Sequence, residues 1–415
     1  MNMIRQYSGL PKEIYFICFA RIILSMGAFM FSMNSLLMTY VLGLSEVTTG
    51  YIMLMLSVFD IFGALLGGKL SDKYGRKKIL IIAMTAEIIA LLIGGAYVRS
   101  LVVIACEAVV MTCFSMFFPV FGALITDKTG EGKREESFSL LFLCINIGYA
   151  AGQVIAGAIF YNYTEWIFWG QGIATVIMLM VIIFFIHDDY DPLAANMAEN
   201  GERRSKETFD SASDNAGLIR KVLRDKPLVL FLIATIFTGY AYMQVSYMMP
   251  LQFAGYFGAK ISSKWVARLW SVNAIFCVIW SPVILKLSKN KNEFLVIMWA
   301  AILFMLGMGS FAFIKDISLV WLVYLLTPIW TAGEVILSVH NSVLLGSRAD
   351  AGYRARYQSL YEFTNGGGRM IGPVTMGYFL ITHSYNQGWV LVAILCVIAA
   401  VILYSAFRMD ERKKI

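Results

Sequence analysis

The 415 residues predict an all-α membrane protein of twelve transmembrane helices in two six-helix bundles, on three observations. Hydrophobic residues make up 59% of the chain and charged ones 15%, with a mean hydropathy of +0.70; soluble domains average about 45–50% apolar and about 25% charged. Apolar runs near the roughly 20 residues that cross a bilayer recur twelve times. Finally, the basic residues and a set of glycines repeat at half the chain length. Lipid offers no partner to an open strand edge, so every span reads as a helix.

The spans fall at 14–40, 47–67, 79–98, 101–126, 138–160, 166–187, 228–255, 264–285, 294–314, 317–345, 356–381 and 387–407. Between the sixth and seventh runs His187 to Lys226, the one long polar segment, with Asp188, Asp189, Asp191, Glu202, Arg203, Arg204 and Lys206. Too few of its residues are apolar to bury a core, so it reads as a linker. The predicted domains are an N-terminal bundle over 1–187, a cytoplasmic linker over 188–226 and a C-terminal bundle over 227–415.

Charge placement orients the spans. If the N-terminus is cytoplasmic, 27 of the 34 lysines and arginines fall in inside-facing loops and termini. Outside loops hold Arg99, Lys260, Lys264 and Lys315, and Arg21, Arg268 and Arg369 lie within spans. Cytoplasmic loops carry the excess of Lys and Arg in membrane proteins, which places both termini in the cytoplasm and the chain in the cell membrane. The net charge of +7 follows this topology and does not indicate nucleic-acid binding.

An internal repeat supports two halves. Around the fifth span the chain reads Arg134, Ser139-Leu140, Gly148-x-x-x-Gly152-x-Val154-x-x-Gly157. Around the eleventh it reads Arg354, Ser359-Leu360, Gly368-x-x-x-Gly372-x-Val374-x-x-Gly377, each residue 220 positions later. Parallel repeats of this kind build the two halves of many transporters. Glycines at this spacing let helices approach closely, so Gly148, Gly152, Gly368 and Gly372 (with Pro373 beside the last) are expected at helix contacts.

The loop from Gly67 to Leu80, GGKLSDKYGRKKIL, joins the second and third spans and crowds five cations around Asp72. Gly68-x-Leu70-x-Asp72-x-x-Gly75-Arg76, closed by Leu80, resembles the loop motif of major facilitator superfamily transporters, GxLxDxxGRxxxL, at every fixed position. The resemblance covers nearly the whole chain. It implies the major facilitator fold, transport of a small-molecule solute by alternating access, and a conformational latch built from Gly68, Asp72, Gly75 and Arg76. Asp127, at the end of the fourth span, matches the family's acid beside this loop and is expected to pair with Arg76. Gly148-x-x-x-Gly152 is similar to the family's antiporter motif GxxxGPxxGG, but Gln153 stands where that motif has proline, which weakens the antiport inference; Gly372-Pro373 occurs in the eleventh span instead.

Ionisable residues inside a membrane are costly and read by default as functional. Glu334, Glu107, Asp60 and Glu87 are the proton-coupling candidates, with Arg21 and Arg369 as counter-charges. Burial disfavours a charged carboxylate, so an occluded acid holds a proton and an opened one releases it. Glu334, beside Gly333, resembles the helix-10 acid of drug–proton antiporters in this superfamily. Twelve residues before Pro119, Glu107 stands where many members carry an arginine. In the seventh span Tyr240, Tyr242, Met243, Gln244, Tyr247, Met248 and Met249 crowd together; methionine and aromatic side chains make an adaptable surface that holds cations. Tyr240, Met243, Gln244 and Tyr247 are the cavity candidates.

The leading expectation is therefore proton-coupled export of drugs or of lipophilic or cationic metabolites (multidrug efflux), by a protein acting as a monomer in the lipid bilayer. Proton-coupled import of a nutrient and lipid flipping are the alternatives. Peptide symport fits less well, because PKEIYFICFARIILSMG in the first span lacks the ExxER cluster of proton–peptide symporters. An enzyme is not expected: three scattered histidines offer no catalytic constellation, and there is no GxxxxGKS/T loop for an ATP-driven pump. No metal or cofactor is expected, since all six cysteines lie in apolar runs. The first apolar run is too long for a cleavable signal.

Overall fold

The computed structural model describes residues 9–129, 133–186, 221–348 and 354–414. Most of linker 188–226 thus lies outside the described residues, as do the side chains of Asp72 and Asp127 and with them the expected Asp127–Arg76 pair. No strand occurs among the described residues. The helices are α1 (Lys12–Val41), α2 (Glu46–Tyr74), α3 (Arg76–Ala96), α4 (Val102–Lys128), α5 (Arg134–Ile159) and α6 (Glu165–Phe185). They continue as α7 (Lys226–Phe257), α8 (Ala259–Ser288), α9 (Glu293–Gly309), α10 (Trp321–Arg348), α11 (Arg354–Leu380) and α12 (Tyr385–Lys414). Eleven of these are long and apolar enough to cross a membrane. The exception, α11, has 27 residues but carries Arg354, Arg356, Glu362, Arg369 and three consecutive glycines, which lower its hydropathy. Membrane length with membrane composition makes this a multi-pass membrane protein.

Packing follows the repeat. In the first half α1 packs against α5 and α6, and α3 against α4 and α6. In the second, α7 packs against α11 and α12, and α9 against α10 and α12. The glycines explain the closest pairs: a Cβ on Gly148 or Gly152 would fall on the Ile22 or Met26 carbonyl of α1, and one on Gly368 on the Ile236 carbonyl of α7. The first core gathers Ile14, Leu24, Leu80, Met84, Phe117 and Ile182; the second buries Trp330, Trp389, Phe253 and Phe304.

The compact units depart from a simple cut at the linker. One takes the described residues of 1–43, 55–208 and 263–274, and the other those of 44–54, 209–262 and 275–415. The start of α2 is thus counted with the second unit, where Tyr247 donates its hydroxyl to the Glu46 carbonyl at 2.5 Å and Tyr385 donates to the Glu46 carboxylate.

Two local devices shape the first unit. Gly75, at φ +96°, turns the chain between α2 and α3 in a region that favours glycine. Beyond it Arg76 is buried and donates to Ser71 Oγ at 3.2 Å, while Lys77 Nζ donates to the Ile183 and Ile186 carbonyls at 2.8 and 2.7 Å. A cation on the last carbonyls of a helix satisfies orphan acceptors and complements the dipole, so Lys77 caps α6. The second device is a break in α1 between its segments Lys12–Gly27 and Met30–Leu36. Gln153 of α5 fills it, donating to the Ala28 carbonyl at 3.1 Å and accepting from the Ser32 hydroxyl. The residue that departs from the antiporter motif thus satisfies the broken backbone of α1.

In the second unit Asn292 caps α9 by accepting from Phe294 N at 3.0 Å, and its amide donates to Asp410 and Glu411. Arg348 pairs with Asp225 at 3.2 Å and with Asp410. In the turn between α9 and α10, the Ser318 N–H donates to Asp316 Oδ1 at 2.7 Å and holds that exposed carboxyl below the usual aspartate range.

Candidate functional site

The second unit gathers a carboxylate, a phenol, a thiol and a guanidinium from four helices. Glu334 of α10 is half-buried. Tyr242 of α7 donates its hydroxyl to Glu334 Oε1 at 2.8 Å, and Cys277 Sγ of α8 lies 3.9 Å from Oε2. The Tyr242 ring lies 6.4 Å from Phe304 and 6.3 Å from Trp330, centroid to centroid. Over that ring, 5.0 Å from its centroid, sits the guanidinium carbon of Arg369 from α11. Gly333 makes room: a Cβ there would meet the Phe304 ring and the Ala300 carbonyl, so α10 lies tight against α9 with Glu334 turned towards α7. A carboxylate with an aromatic wall can attract a monovalent cation and exchange it for a proton.

Glu87 and Glu107 occupy the first unit and are fully buried. Gln171 of α6 donates to Glu87 Oε1 at 3.1 Å, Thr175 of the same helix also interacts with this carboxylate, and Oε2 meets no close hydrogen-bond partner among the described residues. Buried Arg21 of α1 interacts electrostatically with Glu87, and its guanidinium carbon lies 5.6 and 5.4 Å from the Phe118 and Phe121 ring centroids. Glu107 is met by Asn34 of α1, whose amide nitrogen, once oriented towards it, donates at 2.9 and 3.0 Å. Asp60, in contrast, is exposed on α2. The structure therefore sets the Arg21 charge where it acts on Glu87 and brings Arg369 to the ring that binds Glu334, while Asp60 lies at the exposed surface of α2.

The α7 cavity candidates separate. Tyr240, Gln244 and Tyr247, at positions i, i+4 and i+7, lie buried on one helix face. Tyr240 accepts from Thr375 of α11 at 3.2 Å, and Gln244 lies against Gly372. Met243 is half-buried, next to Tyr242. A reading that follows charge does not single out Cys277, Trp330, Phe304, Gln171 and Asn34, and it names Tyr242 in the α7 cluster without counting it among the cavity candidates. Amides inside apolar spans were a usable signal for Gln171 and Asn34. Two surface grooves, of about 900 Å³ beside Phe313 and Val390 and about 670 Å³ beside Phe59 and Ile104, touch none of these acids.

Residues 16–373 match the profile of the Major Facilitator Superfamily. The chain belongs to that family. Among its curated relatives are the Na(+), Li(+), K(+)/H(+) antiporter of Planococcus maritimus, 21% identical over 88% of this chain and 89% of that one, and the uncharacterized MFS-type transporter YttB of Bacillus subtilis (strain 168), 24% identical over 95% and 96%. Among solved structures, a peptide transporter POT in complex with alafosfalin superimposes with TM-score 0.75 at 19% identity, over 98% of this chain and 95% of that one. The nucleoside transporter NupG follows at TM-score 0.74 and 15% identity, over 95% and 99%. These structures share the fold. The protein is a membrane transporter of the major facilitator superfamily.

Proposed function

We propose that this transporter is a proton-coupled antiporter exporting a lipophilic organic cation across the cell membrane, with Glu334 as the carboxylate that takes the cation and the proton in turn. One observation carries the reading: Glu334 is half-buried in mid-span and held at 2.8 Å by the hydroxyl of Tyr242, whose ring lies against Phe304 and Trp330. A carboxylate so placed has one charge to neutralise, which a proton or a cation can do but not both. Alternating access then links the two fluxes, each charge crossing at about 2.3 kcal/mol per 100 mV. Buried Glu87 with Arg21, and Glu107 with Asn34, are proton-holding groups of the other half in this account. The cation crowding at inside loops supports cytoplasmic termini. A second reading, exchange of alkali cations, draws on the relative named as a Na(+), Li(+), K(+)/H(+) antiporter.

The test uses inside-out vesicles under an imposed pH gradient, with fluorescent lipophilic cations in one arm and sodium, lithium or potassium in the other. Organic dye accumulation that nigericin abolishes and Glu334→Gln removes supports the leading reading. Proton movement driven by alkali ions alone supports the second. Neither response, with Glu334→Gln unchanged, rejects both and returns the nutrient importer.

A further inference from the structure

We infer that Arg369 is a tethered cation resting in the seat a transported cation takes, so that substrate binding requires its guanidinium to leave the Tyr242 ring. This rests on the reading of Glu334 as a cation site and names the substrate class: soft, weakly hydrated organic cations, guanidinium-like or quaternary.

An arginine within a span is costly and needs a reason. Gly368 and Gly372 bring the α11 backbone against α7, since side chains there would meet the Ile236 carbonyl and the Gln244 amide. Arg369, next to Gly368, therefore starts close enough to lay its guanidinium carbon 5.0 Å from the centre of the Tyr242 ring. That ring's hydroxyl is bound to Glu334. Cation, ring, phenol and carboxylate form one chain of contacts, the arrangement an incoming organic cation would need.

The bond holding Arg369 is of the exchangeable kind. Its side chain is exposed and makes no ion pair among the described residues. A cation–π contact is weak enough for another cation of similar character to replace it. Seven residues earlier, two turns along the same face, Glu362 is exposed and accepts from Gln358 at 3.2 Å, offering the displaced guanidinium an acid. Arg21 shows the contrast: it is buried near Glu87 between two phenylalanine rings, with no room for a ligand to take its place. Small hydrated ions gain less from a ring face than a delocalised cation does, so the seat favours the organic class.

The experiment is isothermal titration of the full-length protein in detergent with two probes, ethylguanidinium and tetraphenylphosphonium. Arg369→Ala should bind ethylguanidinium saturably where wild type does not, and adding Tyr242→Leu should remove that binding. Arg369→Gln, a milder change that guards against misfolding, should bind tetraphenylphosphonium about tenfold tighter than wild type, the scale of one cation–π contact. A folded Arg369→Ala that binds no ethylguanidinium, or an Arg369→Gln that binds tetraphenylphosphonium no tighter than wild type, overturns the inference. Ethylguanidinium binding in Arg369→Ala without gradient-driven transport of any organic cation supports the seat and removes the antiport reading. Gradient-driven transport with no ethylguanidinium binding overturns the seat alone.

Discussion

Glu87 and Glu334 are both carboxylates set inside apolar spans, yet their surroundings differ in kind. Glu87 is sealed: no part of it is exposed, an amide from Gln171 meets one oxygen, and Arg21 supplies the nearby positive charge. Glu334 is half-open, and a phenol and a thiol reach it from two other helices. The two halves repeat their helix packing but not this chemistry. On the 220-residue offset of the glycine repeat, Glu334 falls opposite Phe114 and Glu107 opposite Thr327. Duplication explains a fold in which α1 meets α5 as α7 meets α11. Divergence placed a closed acid in one half and an accessible acid in the other, which suits one to storing a proton and the other to exchanging it.

The largest expected effect separates these two acids. Glu334→Gln should weaken tetraphenylphosphonium binding roughly ten- to hundredfold, the scale of a charged hydrogen-bonded group at about 1.5–3 kcal/mol. Glu87→Gln should keep the binding and lose the pH dependence of transport. Equal binding losses in the two variants, read by titration calorimetry, would erase the distinction.

Packing should respond alike in both halves. Gly148→Val and Gly368→Val each drive a side chain into a facing carbonyl, and overpacking of this sort costs about 1–3 kcal/mol. Both should lower the detergent unfolding temperature, whereas Gly122→Ala, with nothing within 4 Å of the new Cβ, should not. A drop in one half only would contradict a repeated packing unit. Gln153→Leu sharpens the point on the first half alone. It strips the Ala28 carbonyl of the Gln153 amide and leaves the Ser32 hydroxyl only the Phe29 carbonyl at 3.4 Å, a loss of about 1–3 kcal/mol visible in the same melting experiment.

The smallest effect belongs to Tyr242→Phe. The ring stays for cation–π contact and only the hydroxyl on Glu334 goes, so affinity should fall about two- to tenfold for a bond of about 0.5–1.5 kcal/mol. Unchanged affinity would mean that the phenol merely fills space.

Much of the fold was legible because membrane helices announce themselves by length and hydropathy, and because the glycines that meet Ile22, Met26 and Ile236 are the same residues that repeat along the chain. Less of the site was legible. Glu334, Glu87 and Glu107 stood out as charges in apolar runs, but their pairings did not, since Tyr242 lies 92 residues from Glu334 and Gln171 lies 84 from Glu87. The α7 stripe shows why: Tyr240, Gln244 and Tyr247 share one helical face with each other, and Tyr242 points elsewhere, so a cluster read along the chain divides in space. The break in α1 was hidden as well, because it depends on a glutamine five turns into another helix.

The central claim is that Glu334 exchanges a proton for a cation. Its most direct test is proton release on adding tetraphenylphosphonium to the purified protein in weakly buffered detergent solution, followed with a pH dye. Wild type and Glu87→Gln should release protons saturably with ligand, and Glu334→Gln should release none. Undiminished release from Glu334→Gln would contradict the account and move the exchange to another carboxylate.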